Sequence, residues 1–219
     1  MGSGAAASVP AVPAAPAQHP IEKESFRIIG TELDAGGLSL AELPVITRVI
    51  HSTADFEFRD LLRFTPNAIR AGIEAIKAGR GIITDVNMVK AGITPGRLAR
   101  FGTRVSCFSS DADVVKDAEA QGITRTSASM RKAAAQMAGG IVAIGNAPTA
   151  LNELLRLIRE GAAPPALIVG VPVGFVGAVE AKEELAGSGF EHITTTGRKG
   201  GSTVAVAIVN ALAIEAATL

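Results

Sequence analysis

From residue 81 onward the sequence falls into a rhythm that leaves few folds open. Five short β-branched runs appear: GIITDVN (81–87), TRVSCFS (103–109), GIVAIGN (140–146), PALIVGVP (165–172) and EHITTTG (191–197). Amphipathic or Ala-rich stretches separate and follow them, at 94–100, 111–120, 127–138, 148–160, 174–186 and 201–216. Continuous apolar strands alternating with helices are the mark of βαβ units, because the strands of a parallel sheet are covered on both faces. The expected fold is therefore α/β: a single-domain, doubly wound, mostly parallel five-stranded sheet in a flavodoxin-like three-layer sandwich. Upstream, helices are expected over 19–33, stopping at Gly30 or running past it, and over 39–53 on either side of Pro44. A third is expected over 65–79, with Pro66 in its first turn and Gly79 as its cap. Residues 1–18, MGSGAAASVPAVPAAPAQ, carry no charge and no period, so a disordered tail is expected there and the domain is expected over 19–219.

Composition removes several classes of function. Lysine and arginine number 21, aspartate and glutamate 21, so no net field favours nucleic acid or an anionic membrane. With eight Phe and no Trp or Tyr, platforms that stack bases on aromatic rings have little to build on. The apolar runs are broken by Gly or Pro before they reach a bilayer-spanning length. With no secretory signal in view and one cysteine, Cys107, the expected setting is a reducing cytoplasm.

Ligands of such sheets bind beyond the carboxyl ends of the strands. The residues just past the expected strands are polar: Thr84, Asp85 and Asn87; Ser109, Ser110 and Asp111; Asn146, Pro148 and Thr149; Thr194, Thr195 and Thr196. The same residue types also cap helices and make turns. GRKGGS (197–202) says more, since Arg198, Lys199 and a glycine-rich backbone including Gly200 precede a long apolar helix and make an anion site for phosphate or carboxylate. It is not a Walker A loop, and no GxGxxG follows the first strand. The smooth VGVPVGFVG turn suits close approach to a flat, bulky ligand, and equally suits tight helix–strand packing.

His19, His51 and His192 are far apart and Cys107 has no partner, so no metal-ligand spacing exists and no metal is expected. No GxSxG elbow supports a serine hydrolase. His19 borders the tail and His192 opens a strand. His51, in VIHSTADFEF, is the best acid–base candidate, although a helix-borne histidine is more often structural.

Taken together, HPIEKESFRII, VITRVIHSTAD, GIITDVNMVKAGI, GNAPTAL, VGVPVGFVGAVEAKEEL and TTTGRKGGSTVAVAIVNAL resemble the precorrin-8X methylmutases of corrin-ring biosynthesis, over about residues 19–215. The resemblance implies an isomerase that moves a methyl group between adjacent carbons of a corrin precursor. Precorrin-8X would become hydrogenobyrinic acid, or the cobalt form cobyrinic acid, by an acid-assisted sigmatropic shift that needs no redox cofactor or methyl donor. It assigns the catalytic role to His51 and substrate contacts to Ser25 and Arg48. Thr84, Asp85, Asn87, Asn146, Thr149, Thr195, Arg198, Lys199 and Gly200 are the further substrate-binding candidates, since a flat apolar ring fringed with carboxylates needs anion donors at its rim. The resemblance also implies a homodimer with the site near the subunit interface, and the next enzyme of the pathway is a further candidate partner. A non-catalytic tetrapyrrole carrier, and a phosphate- or nucleotide-binding enzyme using GRKGGS, are the competing readings.

Overall fold

The computed structural model of the chain describes residues 19–218, so the expected tail at 1–18 lies outside the described residues. Each of the five expected strands forms at the centre of its apolar run: β2 (Ile82–Thr84), β3 (Val105–Ser106), β4 (Ile141–Ile144), β5 (Leu167–Gly170) and β6 (His192–Thr195). All five are parallel to their neighbours within the group. The sheet has six strands rather than five. The addition, β1 (Leu62–Phe64), pairs antiparallel with β6, Leu62 opposite Thr195 and Phe64 opposite Ile193, giving the order β1-β6-β5-β4-β2-β3.

Helices cover both faces, and the strands alternate between them. Ile82, Ile141, Ala143, Leu167 and Val169 point into one core, filled by α1 (Pro20–Glu32), α2 (Leu43–Thr53), α3 (Phe58–Leu61), α4 (Ala68–Lys77), α5 (Asn87–Gly92), α6 (Pro95–Ala99) and α11 (Ser202–Thr218). Ile83, Val142, Ile144 and Ile168 point into the other, with α8 (Arg125–Ala133), α9 (Pro148–Arg159) and α10 (Ala178–Ala186). Between β3 and α8, α7 (Ala112–Gln121) packs Val114 and Ala118 on Ala128. Helix α11 is apolar nearly all round because it lies between the sheet, α2 and α4. Its one buried polar side chain, Asn210, accepts from the Thr94 amide at 2.9 Å and donates to the Gly92 carbonyl at 3.0 Å, fixing the link between α5 and α6.

α1 runs past Gly30 to Glu32, one of the two ends expected, and His19 caps it, its Nδ1 accepting from the Ile21 amide at 3.3 Å. Two helix starts differ from expectation. α2 begins at Leu43 rather than at 39, so Leu43 alone precedes Pro44 in it. Pro66 precedes α4 instead of sitting in its first turn, because Thr65–Ala68 forms a separate turn closed by the Ala68 amide on the Thr65 carbonyl. Asn87, expected to close the run of β2, instead opens the short helix α5, which continues to Gly92. Among the described residues no helix is long and apolar enough to cross a membrane.

Candidate active site

Helix α2 presents its buried side, Val45, Ile46, Val49 and Ile50, to the core and leaves Arg48 and His51 at the margin. It ends at Ala54, which takes the left-handed conformation (φ 53°), the one non-glycine residue with positive φ among those described. The chain then turns so that Phe56 comes back over the helix end. Between α1 and this turn lies an open cleft of about 280 Å³, lined by Ser25, Ile28, Ile29, Ile50, His51, Ala54 and Phe56.

The His51 imidazole stacks on Phe26, ring centroids 4.8 Å apart and planes inclined by 24°. No hydrogen bond holds it among the described residues. Arg48, one helical turn earlier, lies over the same Phe26 ring at 5.0 Å, and its Nη1 donates to Glu22 Oε1 at 3.3 Å. Burial, then the charge of Arg97, pushes the Arg48 pKa below the ordinary guanidinium value, while Glu22 and Glu215 oppose that shift. The Ser25 hydroxyl donates to the Ile21 carbonyl at 3.0 Å from within the cleft wall. His192 is buried, and its Nδ1 lies 2.8 Å from the Phe190 carbonyl, which can only accept, so that nitrogen carries the proton.

A second polar group sits where the expected anion loop follows β6. Thr195 is buried and its hydroxyl donates to the Lys199 carbonyl at 2.8 Å. Gly200 presses against the turn just after β5, where a Cβ would stand 2.3 Å from the Val171 carbonyl oxygen, so no larger residue fits without moving the backbone. The Lys199 ammonium is already engaged, donating to Asp55 Oδ2 at 2.6 Å and Glu57 Oε2 at 2.9 Å. These two acids raise its pKa, and the Lys199 hydrogen bond lowers that of Asp55. The pair ties the loop to the segment just beyond His51. Arg198 is exposed, lies over the Phe175 ring at 5.3 Å and has no acidic partner among the described residues.

Of the remaining candidates, Asp85 and Thr84 serve the backbone of the same sheet edge. Asp85 is fully buried and its carboxylate accepts from the amides of Gly145 (3.2 Å), Asn146 (2.8 Å) and Ala147 (2.8 Å), holding the turn after β4. Burial raises its pKa and the three amides oppose the shift. Thr84 is also buried, its hydroxyl 3.3 Å from the Val86 carbonyl. Asn87 donates to Ser110 Oγ at 2.8 Å, Asn146 is exposed, and Thr149 shares hydroxyl contacts with Thr124 (2.9 Å) and Thr126 (3.2 Å). The structure thus brings Ser25 and His51 to one cleft, with Arg48 one helical turn away over Phe26, and Thr195, Arg198, Lys199 and Gly200 to one loop. Thr84 and Asp85 lie beneath the surface.

Three residues were not singled out for the site by sequence. Phe26 and Phe56 read as ordinary apolar positions. Lys182 reads as a surface charge, yet it shares the inner side of α10 with Ala178, Ala181 and Leu185, and that spacing was the available signal.

The model of the precorrin-8X methylmutase family matches residues 20–215. The cobalt-precorrin-8 methylmutase of Priestia megaterium is 49% identical over 196 residues, covering 90% of this chain and 87% of that protein. The precorrin-8X methylmutase of Pseudomonas aeruginosa is 43% identical over 197 residues, covering 89% and 94%. Among solved structures, a precorrin-8x methyl mutase from Thermus thermophilus superposes with a TM-score of 0.84 at 46% identity, covering 90% of this chain and 96% of that one.

Proposed function

The chain belongs to the precorrin-8X methylmutase family, an isomerase family of cobalamin biosynthesis, and from that premise we propose that His51 is the acid that drives the methyl shift. The substrate is precorrin-8X or its cobalt counterpart, and the product is the corresponding corrin acid. The observation that carries the reading is the setting of His51: an imidazole in an apolar cleft, steadied by a ring stack, with neither nitrogen hydrogen-bonded among the described residues. Such a group can lend a proton to the macrocycle, stabilise the electron-shifted state and recover the proton when the methyl has moved. General-acid assistance of this kind contributes ~10²–10⁴-fold, and the rest comes from holding the ring in a reactive shape. Ile28, Ile29 and Phe56 offer apolar contact to the ring, and Ser25 and Arg48 offer polar contact to its rim.

At the sheet edge, Arg198, Gly200, Asn87, Asn146 and Thr149 form the second half of the proposed binding surface, with the buried Thr84, Asp85 and Thr195 holding the turns beneath it in shape and Lys199 tying its loop to Asp55 and Glu57. The five parallel strands, counted among themselves, run 2-1-3-4-5, which supports the flavodoxin-like reading and a ligand at the carboxyl edge. Residues 19–219 act as one domain in this reading, in the cytoplasm. A cleft of about 280 Å³ takes only an edge of so large a ring, so a second copy of the chain completes the slot in a homodimer. Exposed apolar side chains at Met88, Val173, Phe175 and Val176 support that arrangement.

The test is His51→Ala. Turnover is abolished while the variant still takes up hydrogenobyrinic acid as a red-shifted visible band; unchanged turnover removes His51 from the mechanism. Light scattering at micromolar concentration gives twice the chain mass if the homodimer is right, and a single chain mass counts against it.

A further inference from the structure

Lys182 is 2% exposed, yet no carboxylate pairs with it among the described residues. Its ammonium donates to Thr195 Oγ1 at 3.1 Å and to the Lys199 carbonyl at 2.9 Å, and the Thr195 hydroxyl donates to that same carbonyl. Two of its three N–H groups are therefore accounted for, and the third has no acceptor among the described residues. Burying an ammonium without an acid beside it is costly, and burial alone pushes the pKa down to about 8. An apolar side chain of the same length would fill the space at lower cost. The charge needs a reason.

The reason lies in what rests on it. The turns after β5 and β6 are joined, the Gly174 amide donating to the Arg198 carbonyl at 3.2 Å and the Gly201 amide to the Val171 carbonyl at 2.8 Å. Lys182 grips this double turn from the protein side at the Lys199 carbonyl. Residues 196–201 contain no acid, Lys199 is balanced by Asp55 and Glu57, and Arg198 is not balanced by any described residue. With Lys182, Arg198 and Lys199 set against Asp55 and Glu57, the charges around the double turn remain net positive among the described residues.

We infer that Lys182 is a positioning residue for the turn at 196–201: it fixes the turn from beneath, and its charge is balanced by a carboxylate of the bound ligand. The inference rests on the corrin reading of the site, which supplies the ligand class, a flat ring bearing several carboxylates. Lys182 does not touch the ring or the migrating methyl.

The experiment compares two probes, hydrogenobyrinic acid and the same corrin with its side-chain acids converted to neutral carboxamides, by visible titration. The wild-type chain binds the acid. Lys182→Met, which keeps the length and the apolar stem, binds the carboxamide as the wild type does and the acid about 10–100-fold more weakly. An equal loss for both probes means a merely structural role, and no loss for either means no role; both overturn the inference. Lys182→Gln, which keeps a donor toward the Lys199 carbonyl without the charge, shows the same acid-selective loss and answers the question if Lys182→Met does not fold. Wild-type protein that takes up neither probe overturns the corrin reading itself, a separate and distinguishable failure.

Discussion

His51 and Phe26 form a ring-on-ring pair across two helices, and among the described residues no hydrogen bond joins that pair in orienting the imidazole. A stack of this kind contributes ~0.5–1.5 kcal/mol beyond the area it buries. Phe26→Leu keeps the apolar volume and lets the imidazole swing. The expected result is a loss of about 1 kcal/mol in stability. Turnover falls roughly tenfold, because a misplaced acid loses much of its advantage. A variant that turns over like the wild type would show that the stack does not orient His51.

Ala54 holds a left-handed backbone at the end of the helix that carries His51, with its amide donating to the Ile50 carbonyl at 2.8 Å. That conformation costs an L-residue ~1–2 kcal/mol, and glycine adopts it without the penalty. Ala54→Gly is expected to raise stability by ~0.5–1 kcal/mol in urea unfolding. Lower stability in the variant would show that the site stores no strain there.

Asp85 accepts from three amides of the turn after β4. Asp85→Ala leaves them without a partner and is expected to cost ~2–4 kcal/mol. Asp85→Asn keeps one acceptor oxygen and costs roughly half as much. Hydrogen exchange at Gly145, Asn146 and Ala147 should speed up in step with the loss; amides that stay protected in Asp85→Ala would contradict the assignment.

Lys182 makes stability depend on pH in the alkaline range. Its folded pKa, about 8, lies below the ordinary lysine value of 10.5, so between those two values the unfolded chain holds a proton that the folded chain has released. The penalty of the buried charge is complete below pH 8 and is relieved as pH rises toward 10.5. Wild-type stability, measured against Lys182→Met, is expected to improve by about 2 kcal/mol between pH 7 and pH 10. A difference that stays flat over that window would mean the amine titrates normally.

The parallel part of the fold could be read in the sequence because each strand is covered on both faces, so the apolar run itself encodes the element. β1 could not: Leu62–Phe64 carries a central arginine, spans three residues and exists by pairing with β6, a partner far along the chain, Leu62 facing Thr195. Neighbouring helices were short for the same reason, as α3 and α5 have too few turns to show a period. At the site, His51 stands out by its own chemistry, Arg48 and Ser25 come through resemblance, and the meeting of Ser25 with His51 in one cleft is a matter of how α1 lies on α2. Asp85 and Thr84 were noticed because polar residues follow strands. Their burial follows from the backbone of the turn after β4 folding over Asp85, and hydropathy does not record that. Lys182 was hidden by its own chemistry, since a lysine in an amphipathic helix is ordinarily solvated.

The two margins of the sheet have a consequence for how the chain meets others. One ends in the three residues of β1 and the other in the two residues of β3. Neither offers enough unpaired backbone to recruit a strand from another molecule, so polymerisation by sheet extension is closed off at both sides. Any lasting self-association must be assembled from side chains on helices and turns, which makes it a question of surface chemistry that single substitutions can answer.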